Sequence, residues 1–211
     1  IDRFIQNILD AFPSWKEALT KWRIIVMGDS GQAPVLNDER QALISIPNLL
    51  SHYVLRGLSK APSDAELAVA TNERMAYLYP LKPLDLEQLA NRVVTDSRID
   101  LVAYLNAHEN VQVHTANGSL QFNKGGTYAD PYGQKWEVNG EPAVLDVQQK
   151  EDGHWEYGAY KDLFRQLYAA VHVQPSAIVV TAHSGYEFQY ENSPTHVGGG
   201  SHGGITAQEM T

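Results

Sequence analysis

The C-terminal stretch constrains the fold most, because a buried strand there passes directly into a glycine-rich loop. Residues 178–181 form the β-branched run Ile-Val-Val-Thr, which predicts a buried strand. Three histidines follow, His183, His196 and His202, and glycines surround the last two. Imidazoles in a flexible loop beyond a strand end are typical of a metal or phosphate site in an α/β sheet.

A second unit of the same kind lies near the start of the chain. Apolar spacing predicts a helix over residues 1–12, a short helix over 15–22 and then a buried strand over 23–27. That strand leads into the polar, glycine-containing loop 28–32. If the strands at 23–27 and 178–181 lie parallel in one sheet, both loops emerge at the same edge, where open α/β sheets place their sites.

The chain between these two units changes character. Pattern and turn residues predict, in chain order, a strand over 67–81, a helix over 84–94, a hairpin turn at 116–119, a second hairpin turn at 139–140 and a helix over 160–171. We therefore expect an α/β fold with a core from 1–32 and 159–211. Residues 33–158 are expected to form an inserted α+β cap lobe, whose β part is mostly antiparallel.

The composition limits which classes of function the chain can have. Its 211 residues suffice for one large or two small domains, and 43% apolar with 19% charged residues is typical of a globular protein. A net charge of −9 disfavours binding to a nucleic-acid duplex or an anionic membrane. No apolar run approaches the roughly 18 residues of a membrane span. The chain has no cysteine, so a metal would be held by His, Asp or Glu.

Asp29 and His202 are the two main candidate metal ligands. Asp29 follows the predicted strand after a single glycine, although it can equally cap the turn or a following helix. His202 has glycine nearby on its C-terminal side and serine on the other, so its imidazole is unhindered, and the alternative is a flexible surface loop. Ser30, His183 and His196 are secondary candidates, since the spacing His-x12-His-x5-His matches no compact helix-based metal motif.

Two of these segments resemble motifs of one known family. Residues 27–32, Met-Gly-Asp-Ser-Gly-Gln after an apolar run, resemble the Asp-His-Gly motif of the alkaline phosphatase superfamily, in its type I phosphodiesterase and nucleotide pyrophosphatase branch. Residues 200–204, Gly-Ser-His-Gly-Gly, resemble the later His-Gly motif of that branch. The resemblance covers about the first 35 and the last 35 residues, and it implies an alkaline-phosphatase-like mixed sheet.

The resemblance also implies a function and a cofactor. It implies a metal-dependent phosphoric ester hydrolase with two divalent ions, zinc or else manganese or magnesium, in which Asp29 ligates one ion and His202 the other. The expected substrate is a phosphate ester or a nucleotide-like small molecule. Ser30 stands where the family has a metal-binding histidine, and the family's nucleophilic Thr or Ser would lie upstream of the opening helix. No catalytic nucleophile is therefore predicted within the chain.

We accordingly expect the chain to be a fragment of such a phosphodiesterase that is inactive or nearly so by itself. The alternative is a non-catalytic binding or scaffold domain whose hydrolase site has decayed. In that case Ser30, in place of the family's histidine, is the remaining sign of the lost site. A third interpretation is a single-metal hydrolase that uses His183, His196 and His202 together. The absence of cysteine and of any visible signal or membrane segment favours a cytoplasmic location, and the sequence leaves the oligomeric state open.

Overall fold

The computed structural model describes residues 2–58, 61–191 and 193–209, and this part of the chain contains six α-helices and fourteen strands. The helices are α1 (Asp2–Asp10), α2 (Trp15–Lys21), α3 (Glu39–Ala42), α4 (Ile46–Leu49), α5 (Leu86–Val93) and α6 (Leu163–Val173), with a 3₁₀ helix at Pro142–Leu145. The strands are β1 (Ala33–Pro34), β2 (Leu43–Ser45), β3 (Leu55–Arg56), β4 (Leu67–Asn72), β5 (Met75–Pro80), β6 (Ile99–Leu105), β7 (Val111–Thr115), β8 (Gly118–Ala129), β9 (Lys135–Gly140), β10 (Val147–Gln149), β11 (Trp155–Tyr157), β12 (Ile178–Ala182), β13 (Glu187–Gln189) and β14 (Gly200–Ser201).

An eight-stranded sheet organises the fold, in the order β3-β4-β5-β12-β6-β7-β8-β9. Neighbouring strands are antiparallel except β3 and β4, which are parallel. Three two-stranded pairs accompany it, β1 with β14, β10 with β11, and β13 with β2. The chain therefore has a mixed α/β fold built on a large mixed sheet, as predicted at that level.

The two faces of the sheet are covered by different helices. On one face α4 and α5 pack over a core that contains Val180, and on the other α6 packs over a core that contains Val179. Adjacent strand residues point to opposite faces, so β12 is buried on both sides. This explains its uninterrupted apolar run, which confirms the predicted buried strand.

The strands of the sheet come from both of the segments that the sequence analysis separated. β12, from the predicted core segment 159–211, lies between β5 and β6, which come from the predicted lobe 33–158. Strands from both segments therefore belong to one continuous sheet. The division into a core and an inserted lobe stays a prediction.

The predicted strand at 23–27 is wrong. These residues follow α2 without forming a strand, and Ile25 and Met27 are 75% and 80% exposed. The expected parallel pairing with 178–181 is also wrong, because both neighbours of β12 run antiparallel to it. An apolar run forms a strand only where neighbouring strands satisfy its backbone, and those places beside β12 are filled by β5 and β6.

Two further predictions in the middle of the chain need correction. The single strand at 67–81 is a hairpin of β4 and β5, broken at Glu73 and Arg74. The second hairpin, expected around 139–140, does not form, because the chain after β9 enters the 3₁₀ helix Pro142–Leu145 with proline at its start. The first hairpin is confirmed, since β7 and β8 pair across the turn at 116–117.

The predicted helices are confirmed with shifted ends. The opening helix is α1, and Ile1 of the predicted range lies outside the described residues. α5 begins at Leu86 because the Asp85 side chain caps it by accepting from the Gln88 N–H. No helix in the described part of the chain is both long enough and apolar enough to cross a membrane.

Candidate metal centre

One end of the eight-stranded sheet gathers the histidines of the tail and several carboxylates. The β4–β5 turn, which carries Glu73 and Arg74, lies at this end together with Asp100 near the start of β6 and His183 just after β12. They meet because β12 runs antiparallel to both β5 and β6, so that its end adjoins their starts. Side chains that are far apart in sequence are thus neighbours in the fold.

Glu73 forms the centre of this group. Its φ of 53° places it in the left-handed region, which costs a non-glycine residue about 1–2 kcal/mol. Its Oε2 accepts from Ser201 Oγ at 3.1 Å and from the His202 N–H at 2.8 Å, and its Oε1 lies 3.3 Å from His202 Nε2. Its backbone oxygen accepts from the Phe188 N–H at 2.8 Å. The strained turn is therefore held from both sides by the glycine-rich loop and by β13.

The glycines after His202 allow this loop to approach the turn closely. The Arg74 N–H donates to the His202 carbonyl at 3.1 Å. A Cβ on Gly203 would lie 3.1 Å from the Asn72 carbonyl, and Gly203 has a φ of 98°. A Cβ on Gly204 would overlap the Glu209 carboxylate. The glycine-rich motif thus has a structural role in addition to any role of its histidine.

Glu187 and His196 form the second part of the group. The Glu187 side chain is fully buried on β13. Its Oε2 accepts from the His196 N–H at 2.6 Å, and its Oε1 lies 3.0 Å from His196 Nδ1. His196 Nδ1 is also 4.0 Å from Glu73 Oε1. Glu73, Glu187 and His196 each offer a ligand atom within 4.8 Å of the others.

The residue types of this group fit one divalent ion. Carboxylate oxygen and imidazole nitrogen suit zinc or manganese, and His202 adds a fourth donor beside Glu73. In the structure these carboxylate oxygens already contact the imidazole nitrogens, Glu187 with His196 and Glu73 with His202. An ion bound here would replace those two contacts. Among the described residues, Glu73, Glu187 and His196 are the one group of three whose ligand atoms converge in this way, and such a group could hold one ion. The two ions that the resemblance implies stay a prediction.

A buried ion pair lies next to this group. Arg74 pairs through Nη1 with the Glu209 carboxylate, and its Nη2 donates to the Ala182 carbonyl at 2.8 Å. Burial raises the pKa of Glu209, and the neighbouring Arg74 guanidinium acts in the opposite direction. Within the described residues, Arg74 Nε and Glu209 Oε2 are buried without a hydrogen-bond partner.

The predicted site residues fall into two sets. His196 and His202 lie in the group around Glu73, whereas His183 pairs with Asp100, with Nδ1 3.4 Å from Oδ1. Asp29 is exposed, and its Oδ1 accepts from the N–H of the next residue, Ser30, at 2.9 Å. The predicted metal roles of Asp29 and Ser30 stay predictions.

The loop at 28–32 does reach the tail. The Gly31 N–H donates to the Glu209 carbonyl at 2.8 Å, and a Cβ on Gly31 would overlap the Gln208 carbonyl. Directly after this loop, β1 pairs with β14, with Ala33 opposite Ser201. The two glycine-containing loops therefore adjoin, although the strand predicted before the first loop does not form.

The carboxylates of this group were not predicted from the sequence. Glu73 lies within the single strand predicted over 67–81, so the turn that carries it was not expected. Asp100 stands alone within an apolar segment, and a single charge in such a segment indicates a buried polar group. Glu187 lies in the alternating run Tyr-Glu-Phe-Gln-Tyr, which gives no such signal.

Comparisons with known proteins give no relative. No family model, no curated protein and no solved structure matches this chain.

Proposed function

We propose that this chain binds a divalent metal ion through Glu73, Glu187, His196 and His202, and that the ion serves phosphoric ester hydrolysis. The supporting observation is the convergence of ligand atoms from Glu73, Glu187 and His196 within 4.8 Å of one another. His202 Nε2, 3.3 Å from Glu73 Oε1, adds a second imidazole. The hydrolytic part and the substrate, a phosphate ester or nucleotide-like molecule, come from the resemblance to the alkaline phosphatase superfamily.

The residues of the chain have separate roles in this proposal. Buried Glu187 fixes the ring and backbone of His196, and the β4–β5 turn fixes Glu73 against His202. When bound, the ion would neutralise charge on the phosphoryl oxygens and lower the pKa of an attacking water. An ion held here explains how a chain of net charge −9 accepts an anionic substrate.

A non-catalytic role is the second candidate, and one observation favours it. Glu73 already accepts hydrogen bonds from Ser201 Oγ and from the His202 N–H, and Glu187 accepts from the His196 N–H. These contacts dock residues 193–209 on the sheet without any metal. In this alternative the group is a structural network of a binding or scaffold domain.

Zinc and manganese titrations by isothermal calorimetry separate the two candidates. The wild-type chain should bind one ion, and Glu187→Gln and His202→Gln should each lower the affinity at least about tenfold. His154→Gln is the matched control, because His154 also pairs with a carboxylate, Asp152, but both are exposed. Equal affinities for the wild-type chain and both site variants would exclude the metal centre and leave the structural network.

Hydrolysis is tested separately with bis-p-nitrophenyl phosphate and added zinc or manganese. Turnover that rises with metal occupancy and is lost in Glu73→Gln supports the hydrolytic proposal. The same turnover would contradict the expectation that this chain is inactive by itself. Metal binding without any turnover would leave metal binding as the function of this chain.

A further inference from the structure

A second polar group lies at the same end of the sheet, around Asp100. The pairing of β6 with β12 shifts here, because Thr181 lies opposite Leu101 and Ala182 opposite Ile99. Asp100 is the extra residue between these pairs, which makes it the bulged residue of β6. A bulge re-aims a side chain and is common beside functional sites.

The Asp100 carboxylate is buried and surrounded by donors. Its Oδ1 accepts from the Tyr160 O–H at 2.7 Å, and its Oδ2 accepts from Thr181 Oγ1 at 3.4 Å. Burial raises the pKa of Asp100 above its usual range, and the Tyr160 hydrogen bond and the charges of His183 and Arg74 offset this only in part. These donors favour the ionised carboxylate over its neutral form.

His183 is fixed against this carboxylate. Its N–H donates to the Arg98 carbonyl at 2.9 Å and its carbonyl accepts from the Tyr186 N–H at 3.2 Å, so the backbone is held on both sides. Its Nδ1 lies 3.4 Å from Asp100 Oδ1, while the side chain as a whole is 52% exposed. A buried carboxylate thus faces one ring nitrogen of a histidine that solvent can reach.

His183 is also connected to the candidate metal centre. The residue before it, Ala182, accepts from Arg74 Nη2 at 2.8 Å and donates its N–H to the Arg74 carbonyl at 2.9 Å. Arg74 directly follows Glu73 in the β4–β5 turn. The Asp100–His183 pair and the group around Glu73 are therefore linked through the hydrogen bonds of the β4–β5 turn.

We infer that Asp100 holds neutral His183 with its proton on Nδ1, so that Nε2 is the exposed proton-accepting atom for the reaction at the metal centre. This inference rests on the proposed function for its reaction, but not for the proton position. Asp100, Tyr160 and Thr181 are positioning residues. A carboxylate behind an imidazole fixes the tautomer and stabilises the imidazolium that forms during proton transfer.

The proton transfer balances without any further reactant. His183 Nε2 takes one proton from a water molecule as the water oxygen forms its bond to phosphorus. The bond between phosphorus and the leaving oxygen breaks on the opposite side, that oxygen takes a proton from solvent, and the imidazolium returns its proton to solvent. Asp100 stays ionised throughout, and the products are the phosphoric acid derivative and the alcohol. Such positioned proton transfer contributes about 10²–10⁴-fold to a rate.

Nitrogen-15 NMR of the histidine rings tests the proton position on the wild-type chain. At about two pH units above the ordinary imidazole pKa of about 6.5, His183 should carry its proton on Nδ1. Asp100→Ala should return it to the Nε2 tautomer that free imidazole side chains prefer. His154 is the matched control, because the carboxylate facing its Nδ1 is exposed and should not fix its tautomer. A wild-type His183 protonated on Nε2 would overturn the inference without need of any variant.

Kinetics and metal titration test the role of Nε2. His183→Gln should lower the turnover of bis-p-nitrophenyl phosphate by about 10²-fold or more and leave zinc affinity unchanged. A tenfold loss of zinc affinity in this variant would show that His183 is a metal ligand, and would overturn the inference. If no form of the chain turns the diester over while His183 carries its proton on Nδ1, the hydrolytic proposal fails and the Asp100–His183 pairing stands.

Discussion

Replacement of Arg74 by methionine should destabilise the fold strongly, because it leaves a buried carboxylate without its partner. The side chains of Arg74 and Glu209 are 0% and 1% exposed and form an ion pair. Removal of one member of a buried pair costs about 3–5 kcal/mol, since the remaining charge loses its compensation but stays out of water. Methionine keeps an unbranched apolar side chain in place of the arginine stem, which limits the size of any cavity.

The magnitude depends on how Glu209 responds. Burial already raises the pKa of Glu209 and Arg74 counteracts this effect, so in the variant the carboxyl should take up a proton at higher pH. A folded-state pKa above the unfolded one gives stability that is present at low pH and is lost as pH rises through the folded value. The cost of Arg74→Met should therefore be largest near neutral pH and shrink on acidification. At neutral pH, 3–5 kcal/mol corresponds to a fall in Tm of roughly 6–20 °C for a chain of this size.

Urea unfolding followed by tryptophan fluorescence measures this cost. The double variant Arg74→Met with Glu209→Met should recover most of it, because apolar replacement of both partners of a buried pair is often neutral or stabilising. Lys21→Met is the matched control, since the Lys21–Glu17 pair is exposed and should contribute less than about 1 kcal/mol. A cost below about 1 kcal/mol for Arg74→Met, or a double variant as unstable as the single one, would refute the reasoning.

Three further predictions concern stability and use the same urea assay. Gly204→Ala should cost about 1–3 kcal/mol, because its Cβ would overlap the Glu209 carboxylate and lie 3.2 Å from Arg74 Cζ, and an unchanged midpoint would show that the loop moves freely. Burial lowers the pKa of His114, so its unfolded state binds a proton more readily and stability should fall as pH drops below about 6.5. His114→Gln should flatten this acid slope between about pH 7 and 5, and parallel slopes would contradict the assignment. Phe164→Ala should cost about 3–5 kcal/mol, because Phe164 is fully buried between α6 and the sheet, and a cost under about 1 kcal/mol would contradict that packing.

Local sequence patterns predicted the four longer helices and the central strand correctly, and they missed the short helices α3 and α4. α1, α2, α5 and α6 follow from apolar spacing, because an amphipathic helix makes its hydrogen bonds within its own segment. The β4–β5 hairpin was missed for a physical reason. Its two turn residues, Glu73 and Arg74, include neither glycine nor asparagine, and Glu73 adopts φ of 53° against its intrinsic preference. The contacts of this turn with β12, β13 and the tail compensate for that strain.

Half of the candidate site could be predicted from the sequence. His196 and His202 stand out among glycines at the end of the chain, whereas their partners Glu73 and Glu187 lie on separate elements. Glu73 and His202 are 129 residues apart, and no short pattern encodes a contact of that length. Asp100 depends on a shift in strand pairing, which arises only when β6 and β12 are already adjacent. Such pairings follow from topology, and the topology was predicted with the wrong strand directions.

The two apolar runs from which the sequence prediction began show why the topology failed. Residues 178–182 and 23–27 have similar β-branched, apolar patterns, and an uninterrupted run of this kind indicates a strand that is buried on both faces. The first run forms β12, which is buried throughout between β5 and β6. The second has no strand neighbour in the described part of the chain and stays exposed at Ile25 and Met27. A run of this kind indicates that the segment forms a strand only if it has two neighbouring strands and if other elements cover both of its faces. Whether the requirement is met depends on strands that lie far away in sequence, because those strands supply the hydrogen bonds and the cover.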